Sequence, residues 1–268
     1  MLRDGTETFR VFRRKLVEGG TVLGMAMQTA DTAVAEIIAH AGFDFAWIET
    51  EHTTHSLKDI ERLIVTLENM DCIPLVRVRK NDPNEIGQVL DMGARIVNVP
   101  HVDTPDDAKR AVQGAKYYPT GRRGYATFTR SSCQGSVKLD RDRMKQKNAE
   151  TMLMVQIESE EAVRNAEAIA MTEGVDALFV GYADLSQDMG LPVDPEHPLL
   201  SAAIETVGAA VKRAGKLGMF IVLDPAKTSR YTGLGFKMIL CGMDVRLLKQ
   251  AAESAYERFT KEVEKHDL

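Results

Sequence analysis

FDFAWIETEHTTHSLKDIERLIVTLENMDCIPLVRVRK, residues 43–80, sets two unlike patterns side by side. FDFAWIE is a β-rich apolar run that ends on a carboxylate. SLKDIERLIVTLENM then places Leu57, Ile60, Leu63 and Ile64 in an i, i+3, i+4 stripe, the mark of a helix with one buried face. Ser56 stands where an N-cap belongs, with Asp59 at the third helical position as a weaker box partner than glutamate. IPLVRVRK is the next strand. Strand, helix and strand make one βαβ unit, and near-continuous apolar strands imply a parallel sheet covered on both faces.

Outward from this unit the alternation continues in both directions. TVLGMAMQ reads as a strand and DTAVAEIIAHAG as a helix closed by Gly42. PNEIGQVLDMG, ARIVNVPHV and TPDDAKRAVQGAKYY follow as helix, strand and helix. TMLMVQIES, DALFVGYAD, MFIVLD and KMILCGMD are four more strands, each next to a helical segment. Eight strand–helix units within 268 residues match the (β/α)8 TIM barrel, an α/β fold of about 250 residues. The rival is a doubly wound open sheet, but no GxGxxG follows the first strand. The expectation is a single barrel domain over residues 1–268. The basic stretch at 121–150 is longer than a barrel loop requires and is expected as a solvated excursion or subunit contact, leaving from the side opposite the usual active-site rim.

Composition narrows the function. A formal net charge of −5 gives no reason to expect nucleic acid or an anionic membrane as partner. The N-terminal segment lacks the apolar core of a signal peptide, and no run approaches the roughly 20 apolar residues of a membrane span. Cys72, Cys133 and Cys241 are dispersed and odd in number, which points to neither a zinc motif nor a disulfide framework but to a reducing, cytoplasmic setting.

A barrel demands that reactive groups sit at the C-terminal ends of its strands. Glu49 to His52 end the second strand, Arg77 lies late in the third, Gln156 and Glu158 end the fifth, and Asp184 closes the sixth. His101 ends the fourth. Glu158 and Asp184 supply hard oxygen donors suited to Mg²⁺ or Mn²⁺, though both also fit helix caps or plain ion pairs. Arg77 suits a substrate carboxylate or carbonyl oxygen, or a buried acid. His52 is a natural proton-transfer group near neutral pH, or a hydrogen-bonded structural histidine. A zinc site on His52 and His55 lacks a third ligand of clear spacing.

AEIIAHAGFDFAWIETEH, PLVRV, LDMGARIVNVPHVDTPDDAKRAV, YYPTGRRG, VQIES and VGYADLSQDMG occur in the order and spacing of the HpcH/HpaI aldolase family, so the chain resembles that family over residues 15–255. The resemblance implies a metal-dependent, class II pyruvate aldolase on a barrel of the phosphoenolpyruvate/pyruvate type. It further implies a homo-oligomer, a hexamer of paired barrels that exchange the eighth helix. His52 would be the acid/base residue, and Arg77 would hold the pyruvate carbonyl oxygen. Glu158 and Asp184 would bind the divalent cation (Mg²⁺, Mn²⁺ or Co²⁺), with Gln156 supporting the pyruvate end. Gly181, Tyr182, Ala183 and Asp184 would lie beside the pyruvate carboxylate. The implied reaction is reversible cleavage of a 4-hydroxy-2-oxo acid to pyruvate and an aldehyde, through an enolate.

Two positions depart from the family pattern. Glu49-Thr50 replaces an aspartate-glycine pair before the EH motif, and Tyr182 replaces the proline of VGPAD. Glu49 is then a supporting group in an unusual form. The departures leave open another lyase of the same superfamily, acting on a CoA thioester or decarboxylating an oxo acid. A Schiff-base aldolase on Lys80 and a non-catalytic barrel are further alternatives. The aldehyde would approach near Thr53, Thr54 and His55.

Overall fold

The computed structural model describes residues 6–266, so residues 1–5 and 267–268, the two ends of the expected domain, lie outside the described residues. Among the described residues eight parallel strands close into a barrel in chain order. They are β1 (Val22–Met27), β2 (Phe45–Glu49), β3 (Ile73–Arg77), β4 (Ile96–Val99), β5 (Met152–Ile157), β6 (Ala177–Val180), β7 (Leu217–Ile221) and β8 (Phe236–Met243). The helix α1 (Thr6–Val17) precedes the barrel. Then α2 (Thr32–His40), α3 (Leu57–Asn69), α4 (Pro83–Asp91) and α5 (Pro105–Ala115) follow the first four strands. The second half carries α6 (Arg141–Ala149), α7 (Glu160–Met171), α8 (Tyr182–Asp188), α9 (Pro198–Arg213), α10 (Thr228–Leu234) and α11 (Asp244–His266).

Local chemistry sets the element ends. The Ser56 hydroxyl accepts from the Asp59 amide, and the Asp59 carboxylate accepts from the Ser56 amide, so aspartate completes the capping box despite its shorter reach. The buried stripe of α3 is Ile60, Leu63, Ile64 and Leu67; Leu57, expected in it, is 38% exposed because it begins the helix beside solvent. Thr104 and Asp107 make a second reciprocal box on α5. Gly42 follows α2 with φ +92°, a left-handed conformation that costs glycine little.

Side-chain alternation along the strands produces two apolar layers. Ile48, Val76, Val97, Val155 and Leu178 point outward and pack under the helices. Phe45, Trp47, Leu75, Ile96, Met154 and Phe179 belong to a separate cluster that fills the barrel. That inner cluster includes Phe9, Phe12 and Leu16 of α1, and the Phe12 ring meets Phe45 edge-on at 6.2 Å. Each such fully buried side chain contributes about 1.5–3 kcal/mol. Gly24 faces Phe45 so closely that a Cβ there would run into the ring. The N-terminal mouth is thus plugged by apolar side chains, which leaves the C-terminal mouth for polar groups.

Strand register then fixes which polar groups meet. Trp47 pairs with Leu75, Leu75 with Ile96 and Ile96 with Met152, an apolar rung. One pleat higher, Glu49 pairs with Arg77 and Arg77 with Asn98, a polar rung.

Residues 121–150 differ from the expected solvated excursion. They hold a 3-10 turn at Arg130–Gly135 and the helix α6, and they bury Ser132, Leu139 and Lys147. Arg130 donates to Glu68 at the end of α3, which ties the segment to the N-terminal face of the barrel. The periodicity of RDRMKQKNA is too polar to announce a packed helix; Glu150 at its C-terminal end ties it to Arg95 and Arg10. The helix α1 was likewise not among the expected elements.

Candidate active site

Every reactive group expected at the rim lies at or just beyond the C-terminal end of its strand. Glu49 and Arg77 are the last residues of β2 and β3, and Gln156 is one short of the end of β5. Asp184 lies in the first turn of α8, just after β6, rather than on the strand itself.

Glu49 organises the β2 end. Its Oε2 lies 2.5 Å from Arg77 Nη2 and accepts from Trp47 Nε1 at 3.2 Å. Its Oε1 accepts from the backbone amides of Glu51 (2.7 Å) and His52 (3.1 Å). One carboxylate therefore fixes both the guanidinium and the turn that carries His52. Arg77 is also paired with Glu51 (3.0 Å) and lies over the Trp47 ring. Arg77 is thus a buried ion-pair residue whose side chain also lines the cleft. Thr50 donates to the Arg77 carbonyl at 2.5 Å, so the hydroxyl that replaces glycine braces β3 against β2.

On the opposite wall Asn98 Nδ2 donates to Gln156 Oε1 at 2.7 Å, and Gln156 Nε2 donates to Glu158 Oε2. The other Glu158 oxygen accepts from the His101 amide at 2.6 Å. His101 sits at φ +54°, a left-handed conformation costing about 1 kcal/mol or more for a residue with a Cβ. Its ring bridges the walls: Nδ1 is 3.1 Å from Glu158, and Nε2 is 3.0 Å from Glu51. A Cβ at Gly181 would lie 2.8 Å from Gln156 Nε2 and 2.9 Å from Glu158 Oε2, so only glycine lets the β6 end approach this pair.

Glu49, His52, Arg77 and Gln156 line one cleft of about 260 Å³, together with Gly181, Tyr182, Ala183 and Asp184. Glu158 is 4% exposed and stands just behind Gly181 and Gln156. Burial pushes its carboxyl above the ordinary carboxylate range; hydrogen bonds from His101 and Gln156 oppose the rise, and the nearby Asp184 charge adds to it. Tyr182 is the first residue of α8, where proline fits sterically, and its ring leans on Phe220 at 5.6 Å. Burial raises its phenol above the ordinary value, against the pull of Arg246.

Other candidates fall away from the cleft. His55 is buried, with Nε2 3.1 Å from the Gln28 carbonyl, and serves the loop rather than a ligand. Lys80 is exposed beside Asp82 and does not line the cleft. Among the described residues, no cluster of three or more His, Cys, Asp or Glu side chains converges to hold a metal. The sequence reading missed Asn98 and gave Glu51 no role. Asn98 carried one readable signal, an amide inside the apolar run IVNV.

The family model of HpcH/HpaI aldolase/citrate lyase matches residues 23–251. A 4-hydroxy-2-oxo-heptane-1,7-dioate aldolase from Shigella sonnei is 34% identical over 249 residues, covering 92% of this chain and 94% of the relative. An HpcH/HpaI aldolase/citrate lyase family protein from Burkholderia cenocepacia superposes with TM-score 0.85 at 32% identity, covering 93% of this chain and 99% of that one. Citrate synthase SbnG superposes equally well, with TM-score 0.85 at 27% identity, covering 94% and 98%. The aldolase relatives do not favour the alternative lyase chemistries. The chain therefore belongs to the HpcH/HpaI aldolase/citrate lyase family and is an aldolase-type lyase on a (β/α)8 barrel.

Proposed function

We propose that the chain catalyses reversible, divalent-metal-dependent aldol cleavage of a 4-hydroxy-2-oxo acid to pyruvate and an aldehyde. The observation that carries the reading is the convergence of His52, Arg77, Gln156 and Asp184 on one cleft, with Glu158 buried against its wall. Glu158 and Asp184 supply hard carboxylate oxygens of the kind that a cation such as Mg²⁺, Mn²⁺ or Co²⁺ prefers. Glu158 and Asp184 would hold it. When bound it polarises the 2-oxo group of the substrate.

The remaining steps belong to the chain's own residues. Arg77, braced by Glu49 and Glu51, presents a fixed cation to the C2 oxygen, where negative charge develops. His52 takes the proton from the C4 hydroxyl as the C3–C4 bond breaks and its electron pair moves toward the C2 oxygen. The aldehyde departs, and reprotonation of C3 gives pyruvate. Gln156 orients Glu158, and Tyr182 narrows the end of the cleft near the pyruvate carboxylate.

A homo-oligomer, a hexamer of paired barrels, completes the proposal. The start of α11 is pinned by Asp244, which accepts from the Gln28 and Thr29 amides. Beyond it Leu248, Tyr256 and Phe259 are 67%, 75% and 74% exposed, an apolar face suited to a neighbouring barrel. The unpaired cysteines agree with a reducing, cytoplasmic setting, and no helix among the described residues is long and apolar enough to cross a membrane.

The decisive experiment is exchange of pyruvate methyl protons in D₂O with each cation in turn. His52→Ala should slow exchange while cation binding persists, and Asp184→Asn should weaken cation binding itself. Folded wild-type protein that exchanges nothing with any of the three cations would overturn the pyruvate reading.

A further inference from the structure

At the end of the barrel away from the cleft lies a second cavity, of about 240 Å³. Arg95 immediately precedes β4 and Thr151 immediately precedes β5, so the cavity opens where those strands begin. The cation-rich segment 121–150 closes it from outside. Four cationic side chains line it, Arg95, Arg123, Arg130 and Lys147, against the Glu68 carboxylate in the lining and the buried Glu150 beside it, 3.9 Å from both Arg95 and Lys147. That concentration is local, since the whole chain carries a formal charge of −5.

These cations are held away from water: Arg95, Arg123 and Lys147 are 6%, 8% and 5% exposed. Glu68 is already divided between Arg130, at 2.6 Å, and Arg95, at 3.5 Å. Asp91 engages one end of Arg123, whose guanidinium lies over the Tyr117 ring. The Nε atom of Arg123 is buried with no hydrogen-bond acceptor, and that of Arg95 has only the Glu68 carboxylate, 3.5 Å away and outside hydrogen-bond geometry. Buried guanidinium donors without acceptors are costly, and planar N–H forks match tetrahedral and carboxylate-type oxyanions.

We propose that this cavity is a binding site for a small phosphate-type oxyanion, either inorganic phosphate or the phosphoryl group of a small phosphomonoester. Arg95 and Arg123 donate from the buried wall, and Arg130 and Ser131 close over the ligand from the 3-10 turn. The volume leaves room for a short carbon chain beside the phosphoryl group. The inference is independent of the aldol chemistry, because none of these residues lines the catalytic cleft.

The test is calorimetric titration of the full-length protein with inorganic phosphate and, separately, with glycerol 3-phosphate, at constant ionic strength set with chloride. One saturable site is expected, at least tenfold weaker in Arg130→Gln and partly restored in Arg130→Lys, which keeps the charge but loses the fork. Tighter binding of the ester than of phosphate assigns the organic ligand; the reverse assigns the free ion. Arg130 is 30% exposed in its side chain, so its variants should fold, and near-UV circular dichroism checks this. Ser131→Asp, a negative charge at the same mouth, is the second probe and should abolish binding. The proposal is overturned if neither probe saturates at millimolar concentration, or if Arg130→Gln and Ser131→Asp both bind like wild type. Loss of binding in Arg77→Gln with retention in Arg130→Gln would also overturn it, by placing the anion in the catalytic cleft.

Discussion

Gly181→Ala adds one methyl group at the tightest point of the catalytic wall. The new Cβ would lie 2.8 Å from Gln156 Nε2, 2.9 Å from Glu158 Oε2 and 3.1 Å from Glu158 Cβ, where ordinary contact begins at 3.4 Å. The carboxylate and amide must therefore yield by about half an ångström, since overpacked side chains have no other relief. They cannot do so freely. Gln156 and Glu158 are 1% and 4% exposed, and Asn98 and His101 hold their far sides. Displacements of this kind in groups that orient a metal or reacting atom cost ~10–100-fold in affinity or rate. The expected loss in pyruvate methyl-proton exchange is therefore about 1.4–2.7 kcal/mol in the activation barrier. Proton NMR in D₂O reads the exchange, and calorimetric titration with Mn²⁺ reads the cation affinity of the same preparation. Both should fall together while near-UV circular dichroism stays unchanged. Unaltered exchange and Mn²⁺ affinity in well-folded Gly181→Ala would refute the placement of Glu158 and Gln156 at the working centre.

Three further outcomes follow from the same geometry. Glu49→Ala removes a buried partner of Arg77 (side chains 5% and 10% exposed) while Glu51 remains, so urea unfolding should show a loss of about 3 kcal/mol, at the low end for a broken buried pair. Tyr231 is pushed up to about 12, by burial first and then by its hydrogen bond to Glu196. The folded state holds this proton more tightly than the unfolded chain. Its stabilising effect is thus complete below the ordinary tyrosine value near 10 and is lost as pH rises toward 12, a decline that Tyr231→Phe should reduce in alkaline melting curves. Cys72, 2% exposed and raised to about 12 by burial and then by Asp44, should resist iodoacetamide in the native protein, with Cys133 labelled first; rapid native labelling of Cys72 would contradict its place under α3.

Much of the barrel was legible because periodicity is local. FDFAWIE, IPLVRV and TMLMVQI announce buried strands by composition alone, and Ser56 and Thr104 mark helix starts by their own side-chain chemistry. The N-terminal helix carries the same kind of local signal, since Phe9, Phe12 and Leu16 share one buried face. The segment 121–150 was not readable, because Arg130 pairs with Glu68, Arg123 with Asp91 and Glu150 with Arg95, partners that lie outside the segment and distant in sequence.

The sequence by itself determined which groups reach the rim. A strand ends where its apolar run ends, so Glu49, Arg77, Gln156 and Glu158 had to emerge at the C-terminal mouth. Only the tertiary structure decided how they combine. The β2–β3–β4 register sets Glu49 against Arg77 and Arg77 against Asn98, and the close approach of Gly181 presses β6 onto Gln156 and Glu158. His101 joins the two walls through a backbone conformation that no residue pattern encodes. These contacts depend on barrel closure and on the stagger between strands, which are properties of the whole sheet and not of any one segment.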